Sequence, residues 1–177
     1  MSSRRGAMND NLKPVVDAIQ SRCRTTLHEF RGEVTLVIAP ECLLEMCTYL
    51  RDEFTFDMLE NLTAVDYWPQ QEPRFHIVYH FYSHSLNGTL CIRVPLNGNA
   101  PVIPTIETVY PNANWHEREV WDLFGIWFEG HSDLRRILMP ADWSGHPLRK
   151  DYPLGYEEVQ FSFNFDKISI KKPAPKE

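Results

Sequence analysis

Between residues 74 and 83 apolar and polar side chains alternate: Phe75, Ile77, Tyr79 and Phe81 fall on one face, with His76, Val78, His80 and Tyr82 on the other. A period of two marks a strand with one buried face. A second strand over Thr89 to Val94 follows across Asn87-Gly88, a dipeptide suited to a tight hairpin turn. An earlier strand through Leu62 and Val65 completes this part of the pattern, and Thr26 to Phe30 and Val34 to Ile38 flank Arg31-Gly32 as another hairpin. Helical spacing governs three further stretches. Val15, Val16, Ile19 and Cys23 predict a helix over residues 11–23, with Asn9 or Asp10 as its cap. Pro40 opens a second, striped by Leu43, Leu44, Cys47 and Leu50. Asn112 or Asn114 caps a third, carrying Trp115, Val120, Leu123 and Phe124, which Gly125 ends. Residues 97–104 read as a loop. Strands joined mainly by hairpins, with helices not alternating regularly between them, predict an α+β fold of two layers: a mixed, mainly antiparallel sheet packed with helices.

Periodicity stops near Met139. From there Pro140, Pro147, Pro153, Gly145 and Gly155 punctuate a segment still rich in aromatic residues, including Trp143, Tyr152, Phe161, Phe163 and Phe165. Disordered linkers are poor in such residues, so the expectation is an α+β domain over residues 1–138 and an extended, partner-binding C-terminal tail over residues 139–177. The last residues, Lys171 to Glu177, are expected to fray.

Length and charge narrow the classes. A chain of 177 residues with 43% hydrophobic and 24% charged residues suits one globular domain with a real core. The net charge of −6 is concentrated in residues 29–133, which carry 16 acidic against 5 basic side chains. An acidic body argues against nucleic acid as the partner. The longest uncharged run, Phe75 to Ile92, contains three histidines, Asn87 and Gly88, so it does not suit a spanning helix. No secretory signal is visible, and a reducing compartment is expected.

Candidate chemistry is sparse. His76, His80 and His84 recur every four residues, but on a strand successive members stand about 13 Å apart, too far to share an ion. The gaps between Cys23, Cys42, Cys47 and Cys91 are 18, 4 and 43 residues, which is neither a zinc pair nor an iron–sulfur run. Phosphate-binding glycine loops are absent, and Ser144 lacks a nucleophile elbow. Glu119 and Asp122 share a helical face and form a sterically possible acid/base pair. The competing reading is ion pairing of the helix with the loop that carries Arg135 and Arg136, and it is the stronger of the two.

One stretch is far more specific. Glu117-Arg118-Glu119-Val120-Trp121-Asp122-Leu123-Phe124-Gly125-Ile126 is followed by Gly130-His131, Leu134-Arg135-Arg136-Ile137-Leu138, Asp142-Trp143 and Gly145-His146-Pro147-Leu148-Arg149-Lys150-Asp151-Tyr152-Pro153. It closely resembles the signature of the 30-kDa, or C, subunit family of proton-pumping NADH:quinone oxidoreductase, respiratory complex I. Residues 26–112 resemble it in general pattern only. The resemblance implies a non-catalytic subunit that binds no cofactor or metal, in a complex that uses FMN, iron–sulfur clusters, NADH and quinone. It implies docking beside the quinone-site subunit (D) and the terminal-cluster subunit (B), peripheral on the cytoplasmic side of the cell membrane and touching the membrane only through partners. Within the signature, Glu117, Arg118, Glu119, Asp122, His131 and Arg135 are expected to be structural. Arg136, Trp143, His146, Arg149, Lys150, Asp151 and Tyr152 are expected to bind partners, the arginines through forked contacts with acidic groups. Two alternatives stay open: the equivalent subunit of a related ferredoxin-dependent or hydrogenase-type membrane complex, and a free-standing carboxylate enzyme using Glu119 and Asp122.

Overall fold

The computed structural model describes residues 9–153. The expectations for Phe161, Phe163, Phe165 and residues 171–177 lie outside the described residues.

The Asn9 side chain accepts the Asn11 amide at 3.1 Å, and after one 3₁₀ turn α1 runs Lys13–Arg22 with Pro14 in its first turn. Asn9 and Asn11 also donate to the carbonyls of Asn87 and Leu86, so the helix entry is tied to a hairpin far along the chain. The β1 (Thr26–Phe30) and β2 (Glu33–Val37) hairpin turns at Arg31-Gly32, both with positive φ. Next come α2 (Leu43–Phe54), β3 (Met58–Asp66), β4 (Phe75–Ser83) and β5 (Gly88–Leu96).

These strands form a five-stranded sheet in the order β1-β2-β5-β4-β3. Every pairing is antiparallel except β2 with β5, where Leu36 lies opposite Ile92. The alternation read in the sequence is realised: Phe75, Ile77, Tyr79 and Phe81 are fully buried and their neighbours half-buried. The buried face joins the apolar stripes of the helices in one core, with Val15, Val16 and Ile19 from α1 and Leu43, Met46, Cys47 and Leu50 from α2. This is the expected α+β architecture.

The segment expected to be a plain loop differs. Val102–Pro104 forms β6, which pairs in parallel with β7 (Trp127–Glu129), and α3 (Ala113–Phe124) makes the crossover between them. Short parallel strands become visible only through their tertiary partner, since three residues carry too little pattern. Gly125 ends α3 in the left-handed region at φ 70°, its amide bonded to the Trp121 carbonyl. Asn112 sits at the other end, but its side chain donates to the Leu59 carbonyl at 2.8 Å and does not cap the helix.

Candidate functional site

The signature residues collect where α3 meets the irregular segment 131–153, which lies along the domain as a strap. Asp122, fully buried near the end of α3, is the centre of the attachment. Its Oδ2 accepts three consecutive amides, Ile137 at 3.0 Å and Leu138 and Met139 at 2.8 Å, and its Oδ1 takes Arg136 at 2.6 Å. Burial alone works against ionisation, but those amides and the guanidinium outweigh it and hold Asp122 below the usual carboxylate range. With all of these donors seated, the carboxylate is fully engaged and offers no base to a substrate. Glu119 is exposed on the same helix. The acid/base pair considered for Glu119 and Asp122 is therefore not assembled: the strap covers one of two positions about 60° apart on the helix and leaves the other in solvent.

Arg136, His146 and Arg149 of the strap serve the carbonyl end of α3. The last carbonyls of a helix have no partner within it and carry the negative end of its dipole. Here the Asp122 carbonyl takes His146 Nδ1 at 2.9 Å and Arg136 at 3.2 Å, the Leu123 carbonyl takes the Leu148 amide at 3.0 Å, the Phe124 carbonyl takes Arg149 Nε at 2.5 Å, and the Gly125 carbonyl takes Arg149 Nη2 at 3.2 Å. A Cβ on Gly125 would lie 2.4 Å from the His146 ring and 2.7 Å from Arg149, so the close approach requires glycine. Arg136 closes the loop by donating from Nη2 to the carbonyls of Trp143 and Gly145 at 2.8 and 3.0 Å.

Further along, the strap reaches the central sheet. Arg74, fully buried at the start of β4, grips Asp66 with Nε and Nη2, both at 3.0 Å, and reaches Asp151 with Nη2 at 2.7 Å and the Asn99 side chain with Nη1. Asp66 also accepts the backbone amides of Trp68 and Lys150. Burial opposes ionisation of Asp66, yet Arg74 and these amides hold it low, and the contact with Arg74 lowers Asp151 too. Hydrogen bonds thus cross the 138/139 boundary many times.

Of the residues expected to be structural, Arg118, Asp122 and His131 lie inside the attachment, and Glu117 is buried behind it, bonded to Thr105 and Ile106. Arg118 donates to the carbonyls of Arg135 and Arg136. Arg135 is itself exposed and paired with its neighbour Asp133 at 2.8 Å. Of those expected to bind partners, Arg136, His146, Arg149 and Asp151 have their polar groups turned to this chain. Lys150 contributes its amide and leaves its side chain outward. Tyr152 packs against Gly145 and donates to the Ser144 carbonyl at 3.4 Å, and Trp143 is half-buried. Sequence reasoning missed Arg74, Asp66, Asn99, Thr105 and Glu107. Nothing local marks them, because Arg74 and Asp151 stand 77 residues apart. Outward from the strap and α3 point Trp115, Leu138 and Leu148, at 60%, 60% and 49% exposure.

Comparison with known proteins gives this arrangement a family. The model described as "Respiratory-chain NADH dehydrogenase, 30 Kd subunit" matches residues 36–158. The chain is similar to proteins named as the C subunit of NADH-quinone oxidoreductase: 49% identical over 151 residues to that of Roseiflexus sp. (strain RS-1), covering 84% of this chain and 86% of the relative. To that of Geobacter sulfurreducens it is 47% identical over 128 residues, 72% and 79% of the two chains. Among solved structures, the trypsin-resistant fragment (1-134) of Nqo5 superposes with a TM-score of 0.63 at 29% identity, over 70% of this chain and 99% of that one. A chain of the membrane-bound sulfane sulfur reductase, an archaeal respiratory membrane complex, shares the fold alone, with a TM-score of 0.71 at 20% identity over 93% and 95%. With the family model spanning well over half of its residues and near relatives matching across most of its length, this chain belongs to the 30-kDa, or C, subunit family of NADH-quinone oxidoreductase.

Proposed function

We propose that this chain is a non-catalytic, peripheral-arm subunit of NADH:quinone oxidoreductase, a bracket between the quinone-site subunit (D) and the terminal-cluster subunit (B). It carries no cofactor of its own, and the FMN, iron–sulfur clusters, NADH and quinone of the complex are held by other chains. It sits on the cytoplasmic side of the cell membrane. No described helix is long and apolar enough to cross a bilayer, and membrane contact runs through the partners. Family membership supports this reading. The observation that carries it is the division of labour on the strap: charged side chains are spent on fixing an irregular backbone to the domain, while Trp115, Leu138 and Leu148 stay exposed. Exposed large apolar residues on a rigid mount suit anchoring in a neighbour's pockets.

The test leaves the strap's attachments intact. Leu138→Asp combined with Leu148→Asp is expected to keep the melting behaviour of the isolated chain within about 0.5 kcal/mol, while incorporation into the complex on native gels falls about tenfold or more. Normal assembly with both charges in place would refute the bracket. Arg149→Ala is a poorer probe, because it also uncaps α3. A second reading, the equivalent subunit of a ferredoxin-dependent or hydrogenase-type membrane complex, is supported by the shared fold of the sulfane sulfur reductase chain. Near 50% identity to relatives named for NADH-quinone oxidoreductase favours the first. The chains that co-purify from detergent-solubilised membranes separate the two.

A further inference from the structure

Glu117 takes no part in holding the strap, although it is as deeply buried as Asp122. Its carboxyl lies at the seam between α3, the β6/β7 pair and the central sheet. Oε1 accepts the Ile106 amide at 2.8 Å, and Oε2 lies 2.5 Å from Thr105 Oγ1, both just beyond β6. Across the buried imidazole of His131 stands a second carboxyl, Glu107: His131 Nε2 is 3.7 Å from Glu107 Oε2 and 3.9 Å from Glu117 Oε2.

His131 Nδ1 accepts the Asp133 amide at 3.0 Å, and Nε2 faces the Asn114 carbonyl at 3.1 Å. Among the described residues neither carboxyl pairs with a lysine or arginine. Two carboxylates on either side of one imidazole in a buried seam do not both ionise readily, and the donors around each decide which keeps the proton. Glu107 is partly open to solvent and receives Asn114 Nδ2 at 2.8 Å, the Ser132 amide at 2.8 Å and Ser132 Oγ at 3.1 Å. Glu117 has two donors and no solvent. Thr105 Oγ1, which donates to Glu117 Oε2, itself accepts the Glu107 amide at 3.1 Å. The other groups facing Glu117 are the buried thiol of Cys47 on α2 and the buried hydroxyl of Tyr79 on β4, both kept neutral by burial. The Tyr79 hydroxyl, without a hydrogen-bond partner among the described residues, does not donate to the carboxyl.

We propose that Glu117, with His131 and Glu107, forms a proton-binding latch: the carboxyl is held as a neutral acid, and loss of its proton loosens the grip of α3 on the β6/β7 pair. Burial, opposed by the hydrogen bonds of Ile106 and Thr105 and reinforced by the charge of Glu107, pushes Glu117 up to about 7, whereas the donors around Glu107 and the neighbouring His131 overcome its burial and keep it below the usual range. Because the folded-state value of Glu117 is raised, its contribution to stability is complete below about pH 4.5 and is lost as the pH rises through about 7.

The experiment follows unfolding of the full chain between about pH 5 and 8.5, for the wild type, Glu117→Gln and Glu107→Gln, with ¹³C NMR of the glutamate Cδ signals of the wild type. The wild-type melting temperature is expected to fall relative to that of Glu117→Gln as the pH rises from about 5 and to level off above about 7. Glu107→Gln, by removing the neighbouring negative charge, makes the fall level off at lower pH. The Glu117 Cδ signal titrates in the same range, and exchange of the Ile106 amide, corrected for its intrinsic pH dependence, speeds up above it. Parallel melting profiles for wild type and Glu117→Gln, or a Glu117 Cδ signal already at its carboxylate position at about pH 5.5, would overturn the proposal. The NMR arm uses the wild type alone, so it decides the matter even if a variant fails to fold.

Discussion

The central sheet and the strap solve the same problem by opposite means. In β4 and β5 the backbone satisfies itself through the ladder, and the side chains are free to be apolar: Phe75, Ile77, Tyr79, Phe81, Leu90 and Ile92 are fully buried. In residues 131–153 the backbone has no ladder, and several of its amides go to carboxylates instead. Three consecutive amides end on Asp122, that of Lys150 on Asp66 and that of Ser132 on Glu107. Buried backbone groups must be paired in either case. The first solution needs a repeating pattern and no particular residue. The second needs particular residues and no pattern, which is why so short a segment carries so dense a sequence signature.

The largest expected effect that separates the two comes from Asp122→Ala, which strands Arg136 and three amides. A loss of about 3–5 kcal/mol is expected, with rapid tryptic cleavage at Arg135, Arg136 and Arg149 as its specific mark. If these sites stay protected, Asp122 does not anchor the strap. Gly125→Ala forces a side chain into the left-handed region and onto His146 and Arg149, with an expected cost of about 1–3 kcal/mol, seen as faster exchange of the Leu148 amide. Ile77→Val, in the sheet, is expected to cost about 1 kcal/mol and to shift global unfolding without exposing the strap to trypsin first. Acid sharpens the contrast without a mutation. Asp66, Asp122 and Asp151 all have lowered folded-state values, so their stabilisation is present above the ordinary carboxylate range and is lost as the pH falls through those values. Strap cleavage by an acid-active protease is expected to rise before the sheet's circular dichroism changes. The smallest effect is that of Glu119→Gln, within about 0.5 kcal/mol on the isolated chain.

The same contrast explains what the sequence disclosed. The alternation through Phe75 to Tyr82, the Arg31-Gly32 turn and the Gly125 stop are local, and each was legible from its neighbours, whereas the second hairpin turns through residues 84–87, with Gly88, in β5, already paired to Ser83. β6 and β7 were not legible, because Val102-Ile103-Pro104 becomes a strand only opposite Trp127 to Glu129. The signature marked residues that gather where α3 meets the strap, but not what they touch. Glu117, Glu119 and Asp122 look alike in sequence, yet one is buried beside a second carboxyl, one faces solvent and one anchors the strap. The partners that distinguish them lie 10 to 17 residues away in the chain, beyond the reach of helical periodicity. Arg74 gave no local sign at all.

That single guanidinium bolts together the loop entered by Asp66, the turn carrying Asn99 and the strap at Asp151. Each arm of the bolt has a fixed reach, so the three connections cannot change length independently. A residue inserted between Asp66 and Arg74, or ahead of Asp151, has to be absorbed as a bulge within its own stretch, because sliding any one of the three would pull the other two out of register.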